Sequence, residues 1–336
     1  MRRVHQHRME QADPQAGDTP LVGVIVVAYN SRRHLARQRA ALEAQTEQRW
    51  KLIVIDNASA PDERPRQKEL PGGARIIQSD ENLGFAAANN RAAAQLDTPF
   101  LVFLNPDAFP EPTWLAELLA AAQRLPDVDA FGSTQISDLH PSRLDGAGDE
   151  MPFFAIPYRA FHGASRALNP EEGECFSACA AAALYRADAF HKLGGFDERL
   201  FCYCEDVDLG YRLRLGGGVT MQVTNAAVRH IGGGASPTAD RLGARNALWV
   251  FVKNTPLPLL IVLSPLHATA TIMRASAHAL QGRFHTWRGV WEGVRGLGQI
   301  WRARRKVHEG RAAGSRDIAR ALIWSPLRVL ARASKR

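Results

Sequence analysis

The sequence feature that most constrains the fold is the apolar run Phe-Leu-Val-Phe-Leu at 100–104, which stops at Asn-Pro-Asp. Such a run is typical of a strand buried on both faces of a parallel sheet. Proline has no N–H to donate to a neighbouring strand, so the strand has to end at Pro106. Asp107 therefore lies at the carboxyl end of a central strand, where open α/β sheets bind ligands. Asn-Pro-Asp is also favourable turn chemistry, so the motif alone is compatible with a plain turn.

Apolar strands and helical segments alternate along the first 125 residues. Strands are predicted at 21–28, 51–56, 74–78 and 99–104, with helices at 32–45, 82–96 and 112–125. This alternation predicts βαβ units and hence an α/β fold, a mostly parallel sheet flanked by helices. Tyr29 and Asn30 end the first strand and Asp56 ends the second, so they share one carboxyl edge with Asp107. The chain has no dinucleotide-binding glycine motif after the first strand and no P-loop, which weighs against those two classes.

The middle of the chain is less regular. Residues 126–175 are predicted to form loops over a binding face, and 176–185, 219–223 and 226–230 to be strands, the last ending at His230. A helix reaching residue 215 begins with three carboxylates, Glu205, Asp206 and Asp208. The helix dipole and an i, i+4 pair with Arg212 account for one or two of them. A third crowded beside them favours a functional site.

The charge is concentrated at the C-terminal end. Residues 241–336 hold 18 Lys and Arg against 3 Asp and Glu, although the whole chain carries only +8. Residues 254–273 are uncharged but contain three prolines, which predicts an interfacial or re-entrant segment rather than a span. Trp and Arg at helical spacing beyond it predict a basic amphipathic helix in a headgroup layer; a helix packed on the domain is the alternative. Zinc-finger spacing and an RNA-binding aromatic signature are missing, so we expect no nucleic acid partner.

Several separated motifs in a fixed order resemble the family 2 inverting glycosyltransferases, and most of all their rhamnosyltransferase-like branch. They are Val-Val-Ala-Tyr-Asn-Ser at 26–31, Val-Ile-Asp-Asn-Ala-Ser at 54–59, Asn-Leu-Gly-Phe at 82–85, Asn-Pro-Asp at 105–107, Gly-Gly-Phe-Asp-Glu at 194–198, Glu-Asp-Val-Asp-Leu at 205–209 and His230. Asn105 is a departure, because it stands where the family's usual Asp-x-Asp motif has its first aspartate.

The resemblance implies a GT-A fold, a Rossmann-like nucleotide-diphospho-sugar transferase, and an enzyme that inverts the anomeric centre in one displacement. Asp206 would be the general base, with Glu205 and Asp208 setting its position and charge. Asp107 and His230 would hold Mg²⁺ or Mn²⁺. The residues implied to bind the nucleotide sugar are Ala28, Tyr29, Asn30, Asp56, Asn82, Gly84, Asn89 and Asn105.

The resemblance also bears on partners and organisation. The favoured donor is dTDP-rhamnose, with a UDP-sugar possible, and the acceptor is a glycan or polyprenyl-linked glycan. We predict a disordered leader at 1–20, a GT-A domain at 21–255 and a basic amphipathic helical membrane-associating tail at 256–336. The expected location is cytoplasmic, peripherally associated with the inner face of the cell membrane. The alternative function is a non-catalytic nucleotide-sugar or glycan binding module on the same fold.

Overall fold

The computed structural model describes residues 19–233 and 236–333, so nearly all of the predicted leader lies outside the described residues. The strands in chain order are β1 (Val22–Ala28), β2 (Trp50–Asn57), β3 (Arg75–Ser79), β4 (Phe100–Leu104), β5 (Ala108–Pro110), β6 (Ala130–Ser137), β7 (Leu144–Ala147), β8 (Asp149–Glu150), β9 (Tyr158–Arg159), β10 (Gly173–Glu174), β11 (Ala182–Arg186) and β12 (Thr220–His230).

Helices cover both faces of the sheet and make up the C-terminal third of the described chain. They are α1 (Arg32–Glu43), α2 (Gly84–Ala93), α3 (Trp114–Arg124), α4 (Ala187–Lys192), α5 (Glu205–Leu215), α6 (Pro237–Asn254), α7 (Leu257–Leu280), α8 (His285–Arg295), α9 (Leu297–His308), α10 (Ser315–Ala321) and α11 (Pro326–Ala333).

The central sheet has the strand order β10-β12-β6-β11-β4-β1-β2-β3. Strands β3, β2, β1 and β4 are parallel, and β11 runs antiparallel between β4 and β6. Strand β12 is parallel to β6, so the carboxyl ends of β1, β2, β4, β6 and β12 share one edge. The predicted mixed α/β architecture, with a mostly parallel sheet flanked by helices, is confirmed.

Apolar side chains fill both faces of the sheet. One cluster joins the sheet to α1 and α3 through Leu35 and Trp114. The other joins it to α2, α4 and α5, and is centred on Phe103. The Phe103 ring meets Phe196 edge-on with centroids 4.7 Å apart, a favoured aromatic geometry. The apolar run 100–104 is therefore buried on both sides, as its composition predicts.

Two predictions about the middle of the chain are wrong. Residues 130–137, predicted as loop, form the buried strand β6 at the heart of the sheet. Its polar side chains find buried partners, since Trp114 Nε1 donates to Ser133 Oγ at 2.8 Å and Gln222 Nε2 donates to Thr134 Oγ1 at 3.1 Å. The strand predicted at 176–185 is restricted to β11, because the chain turns at residues 180–181 before entering the sheet.

The C-terminal helices build a third apolar core around α6. Leu260 and Leu263 of α7, Ile300 of α9 and Ile318 of α10 share this core with Tyr211 of α5. At Gly289 in α8, an added Cβ would lie 2.0 Å from the Arg241 carbonyl, so α8 crosses α6 in backbone contact. The helices beyond residue 256 are therefore packed on the sheet domain.

Helix α7 buries one face and exposes the other. Leu259, Leu260 and Leu263 are buried, whereas most of the outward positions are apolar and exposed. Among the described helices, α7 alone is long and apolar enough to cross a membrane by length and composition, and 22% of its most apolar window is buried. Its buried face indicates a helix seated on the domain with an apolar face turned outward.

We predict that Ile300→Ala lowers the free energy of unfolding by about 2–5 kcal/mol, because it leaves a cavity in a fully buried contact between α9 and the domain. The matched control is Val294→Ala on α8, whose side chain is exposed, and it should change stability by less than about 0.5 kcal/mol. Denaturant unfolding of both variants is the measurement. Equal small effects would contradict a shared core.

Candidate active site

The loops after β1 and β2 hold each other at the carboxyl edge. Asn30 has a left-handed backbone with φ +50°; its N–H donates to Ser59 Oγ at 3.0 Å, and its Oδ1 accepts from Ala60 N at 2.9 Å. The buried Asp56 accepts from Ser59 N at 3.1 Å. Ala28 is fully buried beneath this clamp, while Tyr29 is 51% exposed. The clamp leaves the Tyr29 ring exposed, together with Asn30 and Asn82 of the predicted nucleotide-binding group.

The start of α2 is held by amide side chains. Asn82 Oδ1 accepts from Gly84 N at 2.9 Å and from Asn57 Nδ2 at 3.0 Å. Gly84 has φ +77°, and a Cβ there would lie 2.5 Å from the Phe201 carbonyl, so only glycine fits. Asn89 is 1% exposed and donates to the Phe85 carbonyl at 2.8 Å. Asn82, Gly84 and Asn89 therefore fix the conformation at the start of α2, next to the carboxyl edge of the sheet.

Asp107 and His230 lie together at the ends of β4 and β12. Asp107 Oδ1 is 3.4 Å from His230 Nε2, and Asn105 Nδ2 is also 3.4 Å from that nitrogen. His230 Nδ1 lies 2.8 Å from Asp145 Oδ2, so the Nδ1–H donates to Asp145 and Nε2 faces Asp107. A histidine oriented through its other nitrogen by a carboxylate is the usual arrangement of a metal-binding histidine.

The electrostatics of this group favour positive charge. Burial lowers the pKa of His230, but the hydrogen bonds to Asp107 and Asp145 outweigh burial and raise it above its ordinary value. Burial raises the pKa of Asp107, but hydrogen bonding and charge from His230 outweigh that effect and lower it. The pKa of Asp145 is lowered, against its burial, by His162, His230 and Arg159. The two anionic carboxylates, Asp107 and Asp145, surround the imidazole of His230 with negative charge, which would also favour a bound cation.

The donor set fits a divalent cation that binds mainly through its substrate. Within the described ranges no group of three or more His, Cys, Asp and Glu side chains is arranged as a metal site. Asp107, with a side chain 22% exposed, and His230 would therefore be the protein ligands. Mg²⁺ commonly takes one or two side-chain ligands and completes its shell with phosphate oxygens and water. The residues present fit such a cation.

Asp206 is joined to this edge by two adjacent backbone groups. Ala180 N donates to Asp206 Oδ2 at 3.1 Å, and Asn105 N donates to the Ala181 carbonyl at 2.9 Å. The second oxygen of Asp206 accepts from Val207 N at 2.8 Å, at the start of α5. The backbone groups that bind the Asp206 carboxylate and Asn105 therefore belong to consecutive residues.

The loop before Asp206 is strained. Phe201, Tyr203 and Cys204 all have φ between +64° and +72°, and left-handed non-glycine residues each cost about 1–3 kcal/mol. Asn246 of α6 compensates, because its buried Nδ2 lies within 2.9 Å of the Leu200, Cys202 and Tyr203 carbonyls. The backbone strain is thus concentrated at the entry to the predicted catalytic helix.

Asp208 lies below the site in a buried charge cluster. It is 0% exposed; Lys253 Nζ is 2.6 Å from its Oδ1 and Arg212 Nε is 2.8 Å from its Oδ2. Asn254 Nδ2 also donates to Oδ1 at 2.7 Å. Burial raises the pKa of Asp208, but the charges of Lys253 and Arg212 outweigh burial and lower it. Asp208 therefore carries a negative charge that fixes α5 to α6, out of reach of a substrate.

The pKa of Glu205 is shifted in the opposite direction to that of Asp208. Burial, reinforced by the charge of Asp206, raises its pKa well above the ordinary value. Within the part of the chain that the structure describes, its Oε2 is buried without a hydrogen-bond partner. Burial and the adjacent carboxylate thus favour the protonated form of Glu205, in which it would add no negative charge next to Asp206.

Two residues of the site are not among those predicted from the sequence. Asp145, which orients His230, lies on β7 in the segment predicted as loop, and Arg159 joins Asp145 to Cys179 Sγ. Lys253, the partner of Asp208, lies at the end of α6. Asp145 lies in a segment without a regular pattern. The partner of each residue is more than 40 positions away in the sequence. A search for carboxylates and imidazoles near the sheet edge would have included Asp145.

The chain is similar in sequence to known glycosyltransferases. A family model described as glycosyl transferase family 2 matches residues 23–194. An N-acetylglucosaminyl-diphospho-decaprenol L-rhamnosyltransferase of Mycobacterium tuberculosis is 31% identical over 236 residues, 63% of this chain and 76% of that protein. The O-antigen biosynthesis protein RfbC of Myxococcus xanthus is 31% identical over 59% of this chain and 16% of its own length.

A solved structure shares the fold. The crystal structure of GalNAc-T7 with UDP, GalNAc and Mn²⁺ superposes with a TM-score of 0.55 at 15% identity, over 70% of this chain and 48% of that one. At this identity the likeness concerns the fold alone. It agrees with the GT-A architecture expected from the sequence motifs.

We predict that Glu205→Gln stabilises the chain increasingly as pH rises. The folded chain keeps a proton on Glu205 that the unfolded chain releases above its ordinary pKa of about 4.5, so wild-type stability falls with pH over that interval. Glutamine removes this loss and keeps the shape. Thermal unfolding at pH 5 and pH 8 should give a larger gain in Tm at pH 8. The exposed Glu171→Gln is the control, and a pH-independent difference for Glu205→Gln would disprove the neutral state.

Proposed function

Because the chain belongs to glycosyltransferase family 2, we propose that it moves a sugar from a nucleotide-diphosphate donor to an acceptor hydroxyl in a single displacement that inverts the anomeric centre. The observation that carries this proposal is the link between Asp206 and Asn105 through the adjacent residues Ala180 and Ala181. It supports a role for the Asp206 carboxylate as a base beside the edge at which Asp107 and His230 would meet a diphosphate.

Asp206 is the proposed general base. Both of its oxygens accept backbone hydrogen bonds, from Ala180 N and Val207 N, which fix the direction of the carboxylate. It would take the proton of the acceptor hydroxyl while that oxygen attacks the anomeric carbon and the nucleoside diphosphate leaves from the opposite face. A positioned base typically contributes ~10²–10⁴-fold to the rate. Glu205, neutral beside it, leaves the negative charge on Asp206.

Asp107 and His230 are the proposed ligands of Mg²⁺ or Mn²⁺. When bound, the cation would neutralise charge on the leaving diphosphate. Asp145 would keep His230 Nε2 directed at the cation through its 2.8 Å hydrogen bond. Asn105, whose Nδ2 faces the same nitrogen, would bind a neutral oxygen of the donor in place of a second carboxylate.

The substrates are proposed from the similar proteins. The Mycobacterium relative is named for L-rhamnose transfer to N-acetylglucosaminyl-diphospho-decaprenol, so dTDP-rhamnose is the favoured donor and a polyprenyl-linked glycan the favoured acceptor. A UDP-sugar donor is the second candidate, and Tyr29 is the exposed ring on which either base could stack.

We also propose that the protein attaches peripherally to the inner face of the cytoplasmic membrane. Ile261, Val262 and Met273 are each more than 60% exposed on the outward face of α7, and Trp291 and Trp301 are exposed on α8 and α9. An apolar helical face bordered by tryptophan and arginine is suited to the boundary between headgroups and acyl chains. Attachment there would bring the site to a lipid-linked acceptor.

We predict that Asp206→Asn folds normally and binds the donor but loses at least about 100-fold in turnover, because the amide keeps the shape and can still accept one of the two backbone hydrogen bonds, but it cannot take a proton. Turnover is measured with a panel of nucleotide sugars and a glycan acceptor. Asp188→Asn, at an exposed position of α4, is the control for the loss of one carboxylate. If Asp206→Asn kept more than a tenth of wild-type turnover, the base would be another group.

We predict that Asp107→Ala abolishes the dependence of donor binding on Mn²⁺. Wild-type protein should bind the nucleotide sugar more tightly with Mn²⁺ than with a chelator, since two side chains and the diphosphate share the cation. In the variant the two conditions should give the same affinity by calorimetry. Wild-type binding that ignores the chelator would rule out the metal assignment, and donor binding without turnover of any acceptor would favour a binding module.

A further inference from the structure

A cavity of about 390 Å³ opens between the start of α7 and the end of α9, outside the candidate active site. Its volume is within the range of ligand-binding clefts, roughly 300–1,000 Å³. Four of its six lining residues carry a guanidinium or an imidazole, and the other two are apolar. The lining consists of Leu257, Trp301, Arg304, Arg305, His308 and Arg311.

One wall of the cavity is fixed by Arg304. Its Nη1 donates to the Val252 carbonyl at 2.7 Å and to the Thr255 carbonyl at 2.5 Å, at the C-terminal end of α6. Burial lowers the pKa of Arg304, but an arginine stays charged at neutral pH. The cation is therefore held rigidly at the base of the cavity by the last carbonyls of a helix.

A second cation is oriented by His308. His308 Nε2 lies 3.1 Å from the Lys253 carbonyl and donates to it, so Nδ1 accepts from Arg311 Nη1 at 3.0 Å. Burial and the charge of Arg304 lower the pKa of His308 to about 4, which keeps the ring neutral at pH 7. The imidazole thus positions the Arg311 guanidinium and leaves most of its donors unused.

No carboxylate of the described residues neutralises the cations of the cavity. Within residues 19–233 and 236–333, no carboxylate oxygen lies within 4.0 Å of a nitrogen of Arg304, Arg305 or Arg311. On the neighbouring helix, by contrast, Arg288 pairs with Glu292 at 3.1 Å. Guanidinium groups gathered without counter-charges, with donors in a planar fork, match the oxygens of a phosphate group.

The cavity continues into the exposed apolar face of α7. Leu257 lines the cavity and is the first exposed residue of that face, and Ile261 follows one turn later. Trp301, nearly half exposed, stands at the rim with Arg304 5.5 Å from its ring. A cationic cavity joined to an apolar surface is complementary to a molecule with a phosphate head and apolar chains.

We propose that this cavity binds the phosphate headgroup of an anionic lipid and so fixes the orientation of the protein on the membrane. The proposal rests on the peripheral attachment proposed above and adds a defined site to it. Arg305 and Arg311 supply the donors to the phosphate, Arg304 supplies fixed charge behind it, and the acyl chains lie along the outward face of α7.

The test is vesicle sedimentation with the full chain. Vesicles of phosphatidylcholine with and without phosphatidate are mixed with wild type, the pocket pair R305Q/R311Q and the control pair R302Q/K306Q. The control pair removes the same charge from exposed positions of α9 that do not line the cavity. The pocket pair should weaken binding to phosphatidate vesicles about tenfold more than the control pair, because hydrogen bonds to charged groups are lost as well as charge.

Three results would overturn the proposal in separate ways. Equal losses in the two pairs would mean that only general charge attraction acts, and membrane attachment would stand without the pocket. If millimolar inorganic phosphate protected wild type against thermal unfolding as much as phosphatidate vesicles do, the ligand would be a free anion. Wild type that turns over a water-soluble acceptor but ignores phosphatidate vesicles would refute the membrane site and leave sugar transfer intact.

Discussion

The position of the proposed base depends on a charge cluster buried beneath it. Asp208 is fully buried, and Lys253 and Arg212 hold it ionised. Removing one member of such a pair leaves an unpaired buried charge and costs about 3–5 kcal/mol. Lys253 and Asn254 come from the end of α6, and Asn246 of the same helix bonds the strained loop at 200–203. Helix α6 therefore fixes the start of α5, and this placement of α5 sets the position of Asp206.

The same helix joins the two functions that we propose for the chain. Arg304 and His308 bond the carbonyls at the end of α6, only a few residues from the side chains that hold Asp208. A lipid bound at Arg304 would thus lie next to the end of the helix that positions the base. The proposed sugar transfer and membrane attachment would therefore share this helix.

Local patterns in the sequence predict the parallel half of the fold because its strands are apolar throughout and its helices have clear periodicity. They predict Asp107 for the same reason, since a proline ends the strand that carries it. They miss β6, whose Ser133 and Thr134 are satisfied by Trp114 and Gln222, partners that only the folded chain brings together. They also miss Asp145, which orients His230 from a segment predicted as loop.

The central claim is that the carboxyl edge formed by Asp107, His230 and Asp206 transfers a sugar with inversion. The most direct measurement is the one-bond C1–H1 coupling in the NMR spectrum of the glycan product, compared with that of the nucleotide-sugar donor. The account predicts that the anomeric configuration of the product is opposite to that of the donor, as a single displacement requires. A product with retained configuration would contradict it, because retention needs two displacements or a different geometry of attack.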